Sequence, residues 1–160
     1  MEGYSLKKLF ISPFPLATLP YLLLSFAIVG FLDAAYLTIV HYQHAIPPCT
    51  IGGCETVLTS QFATVWGIPT ALFGAIFYLC IVIGTGVFLM YSSNEVRSSH
   101  TARTISSALF FLCTAGLLVG IVLIYIQAFV LHSWCYYCLF SELIDFLLFD
   151  ASWWLYNSQK

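Results

Sequence analysis

The chain has 160 residues, of which 61% are hydrophobic and only 8% charged, with a formal net charge of −2. A soluble domain of that length would carry about a quarter charged residues. A mean hydropathy of +0.93 therefore excludes a water-soluble globule. It also leaves no basic surface for nucleic acid, and points to one compact polytopic membrane domain over residues 1–160.

In chain order, four stretches are long and apolar enough to cross a hydrocarbon core, which takes about 20 helical residues. They fall at 19–42, 69–91, 104–131 and 133–156. Backbone polar groups in lipid must be satisfied internally, so these spans are read as helices. The fold class expected is all-α, a four-transmembrane-helix bundle with a short interfacial helix in the first outer loop. The first run is too long for a cleaved leader and has no small-x-small site after it. Between the third and fourth spans, His132, Ser133 and Trp134 must hold a tight reversal, since one helix of the combined length would be about twice the bilayer thickness.

The five basic residues set the expected orientation. Lys7 and Lys8 precede the first span, Arg97 and Arg103 lie between the second and third, and Lys160 ends the chain. With four spans these segments share one side, which the excess of positive charge makes cytoplasmic. Both termini are then cytoplasmic, in a cell inner (plasma) membrane, and the loop 43–68 faces the periplasm or exterior. Trp66 and Trp134 fall at the outer boundary, and Trp153 and Trp154 toward the inner one.

Six cysteines are sorted by depth. Cys80 and Cys113 lie inside spans and read as small hydrophobes. Cys49, Cys54, Cys135 and Cys138 all map to the outer side, where disulfides persist. Cys135-Tyr136-Tyr137-Cys138 is a CxxC opening the fourth span, with Ser133 expected as its N-cap and Cys135 in the first turn. Orphan N–H groups and the positive end of the helix dipole favour a thiolate there. Cys135 is expected to be exposed to an incoming thiol, and Cys138, one turn deeper, to face the membrane interior. That staging suits a relay between water-borne thiols and a lipid-soluble acceptor. Static disulfides and a zinc knuckle are the alternatives for the four thiols, the second weakened by the wide spacing of Cys49 and Cys54. Haem attachment would need His where Leu139 stands.

With no flavin or nicotinamide fingerprint, a membrane quinone is the acceptor that fits an apolar bundle. Phe73 and Phe77, one turn apart near the outer end of the second span, can flank its ring. Asp33 within the first span, and Glu142 and Asp145 one turn apart in the fourth, are costly in lipid and are read as interhelical hydrogen-bonding groups or proton carriers. Gly116 and Gly120 form a GxxxG that allows close packing inside the bundle. His41, His44 and His132 share no metal-ligand spacing, so no metal site is expected. A stapled membrane scaffold or transporter subunit is the rival class. It would call for repeated halves or midplane polar groups, and the sequence has no repeat.

The set Cys49 to Cys54, Ser60, Trp66-Gly67-Ile68-Pro69, Gly74, Phe77-Tyr78 and Cys135-Tyr136-Tyr137-Cys138, with Phe31 to Thr38 and His41, resembles the vitamin K epoxide reductase family in its bacterial form without a fused thioredoxin domain. The resemblance covers residues 30–144. It implies a four-helix bundle that generates disulfides by passing electrons from a reduced thioredoxin-fold partner to a quinone, ubiquinone or menaquinone. Cys49 and Cys54 would be the shuttle pair in the loop 43–68. Cys54 would attack Cys135, and the released Cys138 would reduce the quinone. Ser60 would hydrogen-bond a thiolate or quinone oxygen, and Phe77 would stack on the ring. Thr70 and Glu142 stand where animal members carry Asn and Tyr toward the naphthoquinone, which argues against epoxide reduction. The chain ends without a thioredoxin-like domain, so the expected partner is a separate exported thioredoxin-fold dithiol oxidase. Another four-helix quinone-linked disulfide generator places its second cysteine pair in a long second outer loop that this chain lacks.

The loop is also expected to work as a lid. Pro47-Pro48 would stiffen it, Gly52-Gly53 would allow its turn, and a helix over 55–65 would lie on the membrane with Val57, Leu58 and Phe62 turned inward.

Overall fold

A computed structural model describes residues 18–49, 53–93 and 99–159. Four long helices dominate: α1 (Leu19–Tyr42), α3 (Thr70–Ser93), α4 (Ser99–Tyr125) and α5 (Tyr136–Ser158). A short helix α2 (Cys54–Leu58) and a hairpin of β1 (Thr64–Val65) and β2 (Ile68–Pro69) lie between α1 and α3. Helix α1 packs on α3 and α5, and α4 packs on α5 and α3, which closes the four into a bundle.

Residues 19–42, 70–91 and 100–130 are helical, long and apolar enough to cross a membrane. The 23-residue α5 is long enough but carries Glu142, Asp145 and Asp150. Apolar residues cover the bundle outside as well as inside. Leu23, Ile81 and Leu148 are fully buried, while Leu32, Ile83, Phe111, Val122 and Phe146 are exposed. Helices apolar all round suit lipid as the solvent. Hydroxyls inside the spans bond to their own helix: Thr38 donates to the Ala34 carbonyl at 2.7 Å, and Thr114 to that of Phe110 at 2.8 Å. These hydroxyls thereby find acceptors within their own turn in an environment without water.

Because lipid tails are as apolar as leucine, close contact rather than hydrophobicity drives these helices together. Glycines supply it. A Cβ on Gly30 of α1 would stand 2.5 Å from the Tyr78 ring of α3, and one on Gly116 of α4 would overlap the Phe77 ring. One on Gly120 would overlap the Glu142 carboxyl of α5. The GxxxG thus opens slots for two side chains within the bundle.

The outer loop departs from expectation in form. Its helix is Cys54–Leu58 rather than 55–65. The Thr59 and Ser60 hydroxyls turn back onto the Glu55 and Val57 carbonyls at 2.7 and 2.8 Å, which favours a turn over further helix. The chain then doubles back: the Thr70 N–H donates to Ala63 at 2.9 Å, and its hydroxyl donates to Phe62 at 3.0 Å. Trp66 and Gly67 at the hairpin tip both have positive φ, 52° and 79°, as a tight two-residue hairpin turn requires.

The fourth helix also begins later than expected. It starts at Tyr136 with Cys135, not Ser133, as N-cap. The last turn of α4 widens into a π-helix, Ile126–Val130, and the reversal passes through His132 at φ 48°. The Ser133 N–H is taken by the Gln127 carbonyl at 3.1 Å, so Ser133 belongs to the exit from α4 rather than to the start of α5.

Replacing Gly30 with valine should lower the thermal unfolding midpoint in detergent, with a cost of about 1–3 kcal/mol from overpacking on Tyr78. Gly86→Ala, where a Cβ meets nothing within 4 Å, should leave the midpoint unchanged or raised.

Candidate functional site

Two elements bring the cysteine pairs to one end of the bundle. Cys135 caps α5 with its sulfur, which accepts the Cys138 N–H at 3.4 Å. The Cys138 thiol donates to the Cys135 sulfur at 2.7 Å. The Cys135 N–H in turn donates to the Gln127 side-chain oxygen at 2.9 Å. Gln127 is 3% exposed and sits in the π-helical turn, an irregularity that recurs at functional sites. The wider turn carries its amide across the reversal to the start of α5.

The thiol hydrogen bond from Cys138 holds the Cys135 thiol below its ordinary range, and the Cys138 and Tyr137 backbone N–H groups add to this against the effect of burial. A sulfur at a helix N-terminus, accepting hydrogen bonds, is the setting in which a thiolate is stabilised.

The outer pair is docked over this start. Cys49 and Cys54 are joined as a disulfide, with Cα atoms 6.0 Å apart. The Tyr137 hydroxyl donates to the Pro48 carbonyl at 3.2 Å. Gly53 lies so close to the Trp134 backbone that a Cβ there would overlap its carbonyl oxygen. Its φ is −108°, so Gly53 serves close approach rather than an unusual turn; Gly52 lies outside the described residues. This docking corrects the expected exposure of Cys135. Cys135 and Cys54 are both fully buried, because the loop covers the helix start, while Cys49 stays partly accessible.

Below the pair lies a cavity of about 370 Å³ between α1, α3, α4 and α5, roofed by the outer loop, within the size range of small-molecule sites. Cys138 lines it and Cys135 does not. Phe73, Phe77, Ser60, Thr70 and Glu142 all contribute to its wall. The Ser60 and Thr70 hydroxyls are each engaged with a backbone carbonyl, so both side chains sit at the cavity with their protons already committed. Val57, Leu58 and Phe62 line the roof. Phe77 packs edge-on against Tyr78 at 5.1 Å between centroids.

The remaining polar groups tie helices together. Ser141 donates to the Asp33 carboxyl at 2.6 Å, joining α5 to α1. The Tyr78 hydroxyl donates to the Ser141 carbonyl at 3.1 Å. Cys113 is buried and Cys80 faces outward from the bundle. Among the described residues, no three His, Cys, Asp or Glu side chains are grouped to hold a metal. Sequence reasoning did not single out Gln127, Tyr78 or Ser141 for a role at the site. Gln127 carried a readable signal, an amide inside an otherwise apolar run. Tyr78 stood in the family pattern without an assigned role and Ser141 carried no signal, since both roles depend on which helix stands opposite.

Fold and site together define a helical membrane bundle with two apposed cysteine pairs capping an internal cavity. The chain belongs to the vitamin K epoxide reductase family, whose model matches residues 21–153. It is also similar to the thiol-disulfide oxidoreductase LTO1 of Arabidopsis thaliana, at 34% identity over 129 residues. That match covers 76% of this chain and 32% of LTO1, so the chain spans about a third of the length of that relative.

In the reduced protein, thiolate ultraviolet absorbance assigned to Cys135 by difference from Cys135→Ala should titrate below the ordinary thiol value of about 8.5. Cys138→Ala removes the donating thiol and should move that midpoint upward. Gln127→Leu leaves the buried Cys135 N–H without an acceptor, and unfolding measurements should register a loss of about 1–3 kcal/mol.

Proposed function

We propose that the protein is a quinone-dependent thiol oxidoreductase that generates disulfides. The observation that carries this reading is the placement of Cys138 in the cavity wall while its partner Cys135 lies beneath the docked Cys49–Cys54 loop. One pair member faces each direction of electron flow. Family membership supports the same reading.

In this reading Cys49, the more accessible cysteine of the outer disulfide, is attacked by a thiolate of a reduced dithiol protein. The partner leaves oxidised, and Cys49 and Cys54 become thiols. Cys54 then attacks Cys135 of an oxidised inner pair, and Cys138 departs as a thiolate. Cys49 attacks Cys54, restoring the outer disulfide and leaving Cys135 and Cys138 reduced. Buried placement of Cys54 and Cys135 keeps this exchange away from other thiols. The low thiol range of Cys135 makes it a good leaving group when the outer pair resolves the mixed disulfide.

The cavity fits a quinone ring by its chemistry: aromatic side chains from Phe73 and Phe77, an apolar wall, and a few polar groups along α5. A quinone bound there would supply a two-electron, two-proton acceptor. Cys138, in the cavity wall, would supply the electron pair as it closes the disulfide with Cys135. Phe77, set into the Gly116 slot, would flank the ring, and Ser60, Thr70 and Glu142 would border it. Ubiquinone or menaquinone fits better than vitamin K epoxide, because Thr70 and Glu142 stand where the animal members of the family carry Asn and Tyr.

The excess of basic residues before α1, around the start of α4 and at the end of the chain supports cytoplasmic termini. The cysteine pairs then face the periplasm or exterior of a cell inner membrane. The partner is an exported thioredoxin-fold dithiol oxidase.

Cys138→Ser removes the thiol that reseals the inner pair. Isolated without reductant, this variant keeps the Cys49–Cys54 disulfide. The lone Cys135 thiolate attacks it at Cys54 and frees Cys49, and with that thiol alkylated the Cys54–Cys135 disulfide should be identified by non-reducing peptide mapping. Finding Cys135 paired with Cys49, or no linkage between the two pairs, would overturn the relay order.

A further inference from the structure

Two acidic side chains at the foot of the cavity have no task in the disulfide relay. Glu142 and Asp145 lie three residues apart on α5, on one face, and both line the cavity below Cys138. Asp145 is 9% exposed, and its Oδ1 is buried without a hydrogen-bond partner. The Tyr78 hydroxyl stands within reach of the same carboxyl group while donating to the Ser141 carbonyl. Glu142 reaches across to α4, where Gly120 has no side chain and the carboxyl fills the place a Cβ would take. No lysine or arginine lines the cavity.

A buried acceptor with no donor is costly, and two carboxylates in an apolar span with no cation lining their cavity cost further. The group missing beside Asp145 is therefore a proton on the carboxyl or a hydrogen-bond-donating ligand. Four residues of helix separate Glu142 from Cys138, about 6 Å along the axis. That matches the span between the two oxygens across a quinone ring.

Resting on the quinone-reducing reading above, we propose that Glu142 is a catalytic acid for the quinone oxygen remote from Cys138, and that Asp145 is its proton-holding partner. When Cys135 and Cys138 close their disulfide, two electrons leave through Cys138. The Cys138 thiol proton goes to the near oxygen and Glu142 gives its proton to the far one. Asp145 passes a proton to Glu142, with the Tyr78 hydroxyl fixing the orientation of the Asp145 carboxyl. The Cys135 proton leaves to water at the outer face, and water entering the emptied cavity returns one proton to the pair. Two protons enter the quinol and two are lost from the thiols, so the cycle balances.

The titratable groups around the pair are His41 on α1, Tyr78 on α3, Cys113 on α4 and Cys138 on α5, and Asp33 on α1 acts on Cys138. Asp33 is engaged by Ser141, and His41 belongs to the outer part of the lining it shares with the neighbouring groove.

The test uses the full chain in detergent, with the inner pair reduced and a short-tailed benzoquinone added. Time-resolved infrared difference spectra of the wild type should show a transient loss in the protonated-carboxyl band as the quinone is consumed, absent in Glu142→Gln and prolonged in Asp145→Asn, where no neighbour refills Glu142. Single-turnover oxidation of the Cys135–Cys138 pair should fall about a hundredfold in Glu142→Gln, the usual scale for a missing general acid. Its rate should then decline as pH rises, because the proton must come from water, while the wild type stays flat. Asp145→Asn should share that pH profile, and quinone binding measured by tryptophan quenching should be retained in both. An unchanged carboxyl band in a wild type that does reduce quinone overturns the assignment, as does a wild-type rate and flat profile in Glu142→Gln. A wild type that binds the quinone but cannot reduce it overturns the oxidoreductase reading instead.

Discussion

The start of α5 is the point on which the rest of the molecule depends. A helix that begins at a membrane boundary exposes N–H groups that need acceptors. Here the acceptors are Gln127 for Cys135 and the Cys135 sulfur for Cys138. Using a sulfur as the cap ties the helix start to the redox state of that sulfur. The same N–H groups that stabilise the helix stabilise the thiolate, so folding and reactivity draw on one set of hydrogen bonds. The π-helical turn in α4 is the geometric cost of this arrangement, since a regular turn would present residue 127 at a different angle around the axis.

Lipid on the outside changes what the interior can contain. The bundle gains little from hiding apolar side chains, so its interior is free to carry a cavity and the polar groups along α5. Glycines then set the spacing. Gly116 and Gly120 admit Phe77 and Glu142 across α4, and Gly30 admits Tyr78 across α1. These three slots bring an aromatic ring, a carboxyl and a phenol into one space beneath a thiol. The Ser141–Asp33 bond fixes α5 against α1 at the same level, so the wall bearing Cys138 is held on both sides.

The outer loop completes the site by covering it. Tyr137 binds the loop at Pro48, and Gly53 lets it settle against Trp134. Without a side chain at position 53 the disulfide loop can lie directly on the reversal between α4 and α5. The cover shields Cys54 and Cys135 from solvent and leaves Cys49 at the edge. The turn at Thr59 and Ser60 and the hairpin that follows bring the chain back to α3 beside the cavity, which is why Ser60, Phe62 and Thr70 share its lining despite their separation in sequence.

Much of this was legible in the chain itself. Apolar run lengths determined four long helices, because hydrocarbon thickness and backbone hydrogen bonding leave few other solutions. The spacing of Cys135 and Cys138 at the head of such a run marked the thiol site, and the pattern of Phe77, Ser60 and the cysteines marked the family. Element starts were less legible: Ser133 is a good N-cap residue by type, but a side-chain amide eight residues before Cys135 took over that N–H. The hairpin replaced a longer helix because hydroxyls at Thr59 and Ser60 found carbonyls nearby. Which helix faces which, the burial of Cys135, and the meeting of Glu142, Asp145 and Tyr78 were decided only by tertiary structure. Local rules govern a residue and its neighbours within a turn or two, whereas these contacts join positions up to about a hundred residues apart and exist only once glycine slots have set the helices at their distances.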